Sequence, residues 1–151
     1  MSSKKGDGVL GVLLVEDNPG DVRLVREGLR DTKAHTALDV VMDGEDAMRF
    51  LRRQGRYAGA RRPDLIVLDL NLPKKDGREV LAEIKHDEAL RSIPVIVLTT
   101  SDAEEDIRKA YELNANCYLT KPMDLERFLE LVKSVADFWL TIVKLPEKGT
   151  T

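Results

Sequence analysis

Short apolar runs and amphipathic segments alternate along the length of this chain. The apolar runs are Val9 to Val15, Leu38 to Met42, Leu65 to Leu68, Pro94 to Leu98 and Cys117 to Leu119. Their nearly continuous hydrophobicity and their β-branched residues are typical of parallel strands that are buried on both faces. The pattern therefore predicts five strands in the interior of the protein.

Each run is followed by a segment in which apolar residues recur every three or four positions, which predicts a helix. The predicted helices begin at Asp21, at Asp43, at Gly77, after Ser101 or Asp102 as the cap, and after the capping residue Asp124. The fourth ends near Leu113, where Asn114 suits a left-handed cap, and Pro146 stops the last after Leu145. Strict alternation of strands and helices predicts an α/β fold with helices on both faces of one parallel sheet.

The length of 151 residues suits a single domain. We expect residues 1–8, which are polar and contain glycine, to be a disordered tail. Residues 9–145 are predicted to form the domain with its extended final helix, and residues 146–151 a polar tail.

Composition argues against several classes of function. With 24 basic and 27 acidic residues the net charge is -3, so no overall positive field favours direct binding of nucleic acid. No apolar run approaches the roughly 20 residues of a membrane span, and the N-terminal MSSKKGDG lacks the apolar part of a signal peptide. The single cysteine, Cys117, excludes an internal disulfide and fits a reducing compartment. We therefore predict a cytoplasmic protein without a membrane partner.

Polar residues that follow the strands carry the candidate chemistry. The first strand leads to Glu16 and Asp17, the third to Asp69, the fourth to Thr99 and the fifth to Lys121. The carboxyl ends of parallel strands meet at one edge of a sheet, where the ligands of such folds bind. Taken alone, Asp69 is equally well explained as a helix cap or a loop residue. The convergence of the other strand ends on it favours a shared site.

Three carboxylates crowded at one edge repel one another unless a cation joins them. Oxygen ligands without a cluster of cysteine and histidine suit Mg²⁺, or Mn²⁺ in its place. Lys121 and the hydroxyl of Thr99 would complete a site for a divalent metal and a phosphoryl group. The carboxylate of Asp69 could itself accept the phosphoryl group and form an aspartyl phosphate.

Four motifs, LLVED, LDLNLPKKDG, PVIVLTTS and YLTKP, together resemble the response-regulator receiver domain of two-component signalling. The resemblance runs from about Val9 to Val135 and implies a flavodoxin-like (βα)5 fold, doubly wound, with strand order 2-1-3-4-5. It also implies a signalling switch rather than an enzyme, because such a protein catalyses only its own phosphorylation and dephosphorylation. The phosphoryl donor would be a sensor histidine kinase.

The resemblance further implies a role for each matching residue. Asp69 resembles the phosphoacceptor, and Lys121 resembles the lysine that contacts the phosphate. Asp17 resembles the direct metal ligand, Glu16 the second acid that acts through water, and Asn71 the residue whose backbone carbonyl binds the metal. Thr99 resembles the switch hydroxyl and Tyr118 the switch aromatic. The same similarity implies a cis bond between Lys121 and Pro122.

A closer resemblance is to the small response regulators that are paired with bacterial and cyanobacterial phytochromes. It rests on VEDNPGDVRLVRE, the basic RRQG, LTTS, NANCYLTKP and DFWLTIVKLP. It implies that the donor kinase is a phytochrome-type photoreceptor such as a bacteriophytochrome. Since no DNA-binding or catalytic output domain follows in the sequence, we expect a stand-alone regulator that acts through a dimer or a partner.

Three other functions use parts of the same pattern. An intermediate carrier in a multistep phosphorelay would share every site residue. A Mg²⁺-dependent aspartyl-phosphate phosphatase or phosphotransferase commonly has a second acid two residues after the nucleophile, where this chain has Asn71, which cannot transfer protons. A nucleotide-binding module of the same fold needs a glycine-rich phosphate loop after the first strand, where this chain has EDNPG.

The last predicted helix carries two apolar stripes. One includes Phe128, Val132 and Ala136 and suits packing on the sheet. The other lies on the order of 120° around the helix and consists of Leu131, Val135, Phe138, Ile142 and Leu145. A helix that is apolar on a second face needs a further partner, so we predict a homodimer through this second stripe. The alternative is that the end of the chain folds back onto its own domain.

Overall fold

Five parallel strands form the central sheet of the computed structural model, which describes residues 8–147 of the chain. The strands are β1 Leu10–Val15, β2 Thr36–Val41, β3 Leu65–Leu68, β4 Val95–Thr99 and β5 Cys117–Thr120. They are hydrogen-bonded in the order β2-β1-β3-β4-β5, and every neighbouring pair is parallel. The predicted flavodoxin-like strand order is confirmed. The predicted tails lie almost wholly outside the described residues.

A helix follows each strand. The α-helices are α1 Pro19–Arg30, α2 Gly44–Leu51, α3 Gly77–His86, α4 Glu104–Glu112 and α5 Leu125–Asp137. A 3₁₀ turn at Gly55–Tyr57 follows α2, and a π-helical turn at Phe138–Ile142 extends α5. Most of the helices begin at a side chain that accepts hydrogen bonds from the first turn, namely Asn18, Asp43, Asp76 and Asp124. Between residues 8 and 147, no helix is both long enough and apolar enough to span a bilayer.

The two faces of the sheet bury separate apolar clusters, because successive side chains of a strand point to opposite faces. Leu13 and Val15 of β1 pack in the cluster that includes α2, α3 and α4, whereas Val12 and Leu14 pack in the cluster that includes α1 and α5. Every residue of β3 and β4 is buried. Covered on both faces, these strands hold their carboxyl ends at one fixed edge.

The loop after β3 lies close against the start of α3. The N–H of Gly77 donates to the carbonyl of Leu70 at 2.9 Å. A Cβ atom at Gly77 would overlap the carbonyl oxygen of Asp69 and would lie 2.5 Å from the Cα atom of Leu70. This close approach of two backbone segments requires glycine, and it fixes the position of the chain immediately after Asp69.

The sequence predicted the final helix to run to Leu145, and this is wrong. The helical segment ends at Ile142, and Val143 is extended with φ -71° and ψ 139°. Residues 141–143 are all β-branched and therefore poor helix formers. Leu145 also precedes Pro146, which disfavours helical geometry at Leu145.

Two local predictions are also wrong. Helix α4 has Ala103 at its N-cap without a side-chain hydrogen bond, because the hydroxyl of Ser101 instead donates to Asp106 at 2.5 Å. The Lys121–Pro122 bond is trans, as are all peptide bonds of residues 8–147, and trans is the lower-energy form of an X–Pro bond. The predicted left-handed cap is confirmed, since Asn114 has φ 71°.

The second stripe of the last helix is divided between two environments. Leu131, Val135 and Leu145 are half-buried and pack against the domain's own cluster, as the fold-back alternative predicted. Phe138 and Ile142 remain exposed, at 52% and 70%. Only these two residues of the stripe are left to meet another surface.

We expect Gly77→Ala to reduce the free energy of unfolding by about 1–3 kcal/mol, because the new methyl group must displace backbone atoms. Chemical denaturation measures the change. Gly59→Ala is the matched control, since nothing lies within 4 Å of a Cβ atom at Gly59, and its effect should stay within about 0.5 kcal/mol. Equal stabilities of the two variants would contradict this close packing of the backbone at Gly77.

Candidate functional site

The carboxyl edge of the sheet brings the predicted polar side chains together. The main-chain hydrogen bonds of the sheet continue into this edge. The N–H of Glu16 donates to Val41 at 3.0 Å, that of Asp69 to Val15 at 3.1 Å, and that of Lys121 to Thr99 at 2.7 Å. Glu16, Asp69, Thr99 and Lys121 are buried, whereas Asp17 is exposed. The backbone positions of the site are therefore fixed by the sheet itself.

Lys121 lies at the centre of the site. Its Nζ donates to Oε1 of Glu16 at 2.7 Å, to Oδ2 of Asp21 at 2.8 Å and to Oδ2 of Asp69 at 2.9 Å. An ammonium group has three N–H donors, so every donor of Lys121 is directed to a carboxylate. Burial by itself would lower the pKa of Lys121, but the hydrogen bonds to Asp21, Glu16 and Asp69 outweigh burial and raise it. The lysine is therefore held in its charged form.

Asp69 is contacted through both of its carboxylate oxygens. While Oδ2 accepts from Lys121, Oδ1 accepts from the hydroxyl of Thr99 at 2.9 Å and from the backbone N–H of Asn71 at 3.1 Å. These contacts bring Thr99 and Lys121 to opposite oxygens of one buried carboxylate. The contact of Asn71 is through its N–H, and the metal-binding role of its carbonyl stays a prediction.

Glu16, Asp17 and Asp69 form a cluster that could hold a cation. One carboxylate oxygen from each of them lies within 4.8 Å of the others. Burial raises the pKa of Glu16 to about 7 from 4.5, although its hydrogen bond to Lys121 acts in the opposite direction. A donor set made only of oxygens, with charge gathered in a buried place, fits a hard divalent cation such as Mg²⁺ or Mn²⁺.

Asp21 is a member of the site that sequence reasoning missed. It lies in the first turn of α1, where Oδ1 of Asn18 accepts from the N–H groups of Gly20 at 2.9 Å and Asp21 at 3.1 Å. The hydrophobic period predicts a helix start at Asp21, whereas α1 begins at Pro19. Proline is favoured in the first turn of a helix after an Asn cap, and this signal could have placed Asp21 within the first turn of the helix.

Tyr118, the predicted switch aromatic, contacts the segment that follows β4. Its hydroxyl donates to the carbonyl of Ser101 at 2.8 Å, and its ring packs against the cluster on the α2, α3 and α4 face. The hydroxyl of Ser101 donates to Asp106, which accepts from Nη2 of Arg78 on α3 at 2.9 Å. A continuous set of hydrogen bonds thus joins β5, the β4–α4 segment and α3.

Comparison with known proteins identifies one family. The family model for the response regulator receiver domain matches residues 12–133. Response regulator Rcp1 of Synechocystis sp. is 53% identical to this chain over 135 residues, which cover 89% of this chain and 92% of Rcp1.

Solved structures of such relatives are similar throughout the fold. The crystal structure of the Mn²⁺-bound form of Rcp1 has a TM-score of 0.89 at 52% identity and covers 91% of this chain and 99% of its own. The phosphorylated cyanobacterial phytochrome response regulator RcpA has a TM-score of 0.89 at 51% identity, with the same coverage of 91% and 99%. One relative has therefore been observed with a divalent cation and another with a phosphoryl group.

We expect the affinity of this protein for Mn²⁺ to rise up to about tenfold between about pH 6 and about pH 8, because the cation is attracted by the ionised carboxylate of Glu16 and not by its protonated form. With a pKa of about 7, Glu16 is mostly protonated at the lower pH and mostly ionised at the higher. Calorimetric titration at both pH values measures the change. Glu16→Gln cannot titrate at this position, and an equally steep profile in that variant would contradict the assignment.

Proposed function

This chain belongs to the response regulator receiver domain family, and on that basis we propose that it is a signalling switch that is phosphorylated on Asp69. Phosphorylation of an aspartate is typical of the family. The observation that carries the assignment to Asp69 is its geometry. It is a buried carboxylate whose two oxygens lie 2.9 Å from the Lys121 ammonium and 2.9 Å from the Thr99 hydroxyl.

The proposed reaction is a transfer of the phosphoryl group from a phosphohistidine of a sensor kinase. A carboxylate oxygen of Asp69 attacks phosphorus, an O–P bond forms as the P–N bond breaks, and the imidazole nitrogen takes the electron pair of the broken bond. Acetyl phosphate can replace the kinase, with acetate as the leaving group. Lys121 and Thr99 supply donors to the phosphoryl oxygens, which stabilises negative charge as it develops during transfer.

Glu16, Asp17 and Asp69 would hold Mg²⁺, or Mn²⁺ in its place, with the backbone carbonyl of Asn71 as a further ligand. Asp17 would contact the cation directly, and Glu16 would contact it through water. When bound, the cation would neutralise charge on the phosphoryl oxygens. The clustering of the three carboxylates and the Mn²⁺-bound structure of Rcp1 support this ligand set.

The donor kinase in this proposal is a phytochrome-type photoreceptor, such as a bacteriophytochrome, and both proteins would work in the cytoplasm. The similarity to RcpA, a cyanobacterial phytochrome response regulator, supports the choice of kinase.

Thr99 and Tyr118 would transmit phosphorylation to the surface formed by α4, β5 and α5. The protein would modify only itself. A carrier in a phosphorelay would use the same residues and differ only in its partners.

A homodimer through the end of the last helix is the second part of the proposal. Phe138 lies beside an open groove of about 400 Å³, whose lining includes Leu131, Val135 and Trp139 together with Leu119 of the edge strand β5. Phe138 and Ile142 are among the exposed large apolar residues of the described chain. A second copy that places its own Phe138 against this groove would cover the apolar surface symmetrically.

We expect incubation with Mg²⁺ and acetyl phosphate to add one acid-stable, base-labile phosphoryl group to the protein and none to Asp69→Asn. Intact-mass spectrometry measures the addition. The matched control is Asp39→Asn, which changes an aspartate on β2 at the far edge of the sheet and should be modified like the parent. Persistent modification of Asp69→Asn would rule out Asp69 as the acceptor.

We expect Phe138→Glu to weaken self-association at least about tenfold, since a buried apolar contact would be replaced by a charge. Sedimentation equilibrium measures the association constant. Met42→Glu is the control, because Met42 is similarly exposed at 47% but follows β2 at the opposite edge of the sheet. Identical masses for the parent and Phe138→Glu at all concentrations would exclude this interface.

A further inference from the structure

We propose that Asp21 is a positioning residue that keeps the ammonium group of Lys121 beside Asp69 while a cation and a phosphoryl group occupy the site. The inference rests on the proposed function and adds a residue to it. Oδ2 of Asp21 lies 2.8 Å from Nζ of Lys121, a distance like those to Glu16 and Asp69. Asp21 lies outside the cluster of carboxylates that could share a cation.

The role of Asp21 follows from the number of N–H donors on the Lys121 ammonium group. All three N–H groups of an ammonium are engaged when Nζ contacts Glu16, Asp21 and Asp69. Two of these partners, Glu16 and Asp69, are also the buried members of the proposed metal cluster. The lysine and a cation therefore compete for the same two carboxylates, and Asp21 is the partner of Lys121 for which they do not compete.

The start of α1 makes Asp21 a fixed anchor. The side chain of Asn18 caps this turn and accepts from the N–H of Asp21 at 3.1 Å. The positive end of the helix dipole favours an acidic side chain at this position. By contrast, lysine has a flexible four-carbon stem, so its head group can move while the anchor stays in place.

The same anchor operates during phosphorylation. When the carboxylate of Asp69 becomes an acyl phosphate, the hydrogen bond that it receives from Lys121 is free to pass to a phosphoryl oxygen. Lys121 then turns about its contact with Asp21 and does not have to be recruited from solvent. Without Asp21, the ammonium would direct its donors to Glu16 and Asp69 alone. It would then compete more strongly with the cation for these two carboxylates.

Titration with Mn²⁺ alone tests this role, in the parent, Asp21→Ala, Lys121→Met and the double variant. We expect Asp21→Ala to weaken Mn²⁺ binding about fivefold in the parent, and by less than about twofold when Lys121 is already Met, because coupled residues are not additive. Asp46→Ala is the matched control, since Asp46 occupies the same position after the cap of α2 and its N–H bonds to Asp43; it should bind like the parent. If Asp21→Ala weakens Mn²⁺ binding by the same factor in the parent and in Lys121→Met, the proposal is overturned.

A second measurement does not depend on how well the Lys121 variant folds. In about 0.5 M salt, screening suppresses the through-space effect of a lost surface charge but spares a direct contact between partly buried groups. We expect the weaker Mn²⁺ binding of Asp21→Ala to persist at this salt concentration. If its affinity for Mn²⁺ instead returns to that of the parent, the role of Asp21 is overturned.

Phosphorylation by acetyl phosphate separates the two levels of the proposal. We expect Asp21→Ala to be modified about fivefold more slowly than the parent at subsaturating Mg²⁺. If the parent itself takes up no phosphoryl group, the proposed function fails. If the parent is modified and Asp21→Ala matches it in both Mn²⁺ affinity and rate, only the role of Asp21 is overturned.

Discussion

One buried ammonium group holds the carboxyl edge of this sheet together. Lys121 is only 5% exposed at its side chain, and its donors join β1, α1 and β3 through their carboxylates. Loss of one partner from such a buried ionic group costs about 3–5 kcal/mol, because the remaining charges stay buried without compensation. Well-packed apolar residues would often stabilise a fold equally well. The acidic cluster is therefore better explained by what it binds than by its contribution to stability.

The sheet makes this concentration of charge possible. β3 and β4 are buried throughout, so polar side chains can be accommodated only where these strands end. That is why the sequence was sufficient to predict the convergence of Asp69 and Thr99, since a continuous apolar run that stops at a polar residue marks the edge of a buried sheet. The strand order was available from the resemblance to a family, whereas periodicity alone predicted a parallel sheet without its order.

Features that depend on packing were not available from the sequence. The partners of Lys121 are chosen by the positions of three elements, so Asp21 could not be connected with a lysine 100 residues later. The hydroxyl of Ser101 could cap α4 or bind Asp106, and the sequence pattern does not distinguish the two. In the structure it donates to Asp106, which also accepts from Arg78 of α3. Likewise, the second stripe of the last helix indicated an apolar face, but not that Leu131 would pack within its own domain.

β5 is the element through which the site and the exposed end of the last helix could influence each other. Tyr118 faces the cluster that borders α4 and contacts Ser101, while its neighbours Cys117 and Leu119 line the groove beside Phe138. A shift of this edge strand would therefore change the packing on both faces of the sheet, at the cluster that borders α4 and at the groove. Phosphorylation can change the groove only if the phosphoryl group binds more tightly to one arrangement of β5 than to another. The hydrogen bond between Lys121 and the carbonyl of Thr99, at 2.7 Å, links the end of that strand directly to the site. Asp69, Thr99 and the end of β5 are thus joined by consecutive hydrogen bonds, and β5 in turn lines the groove.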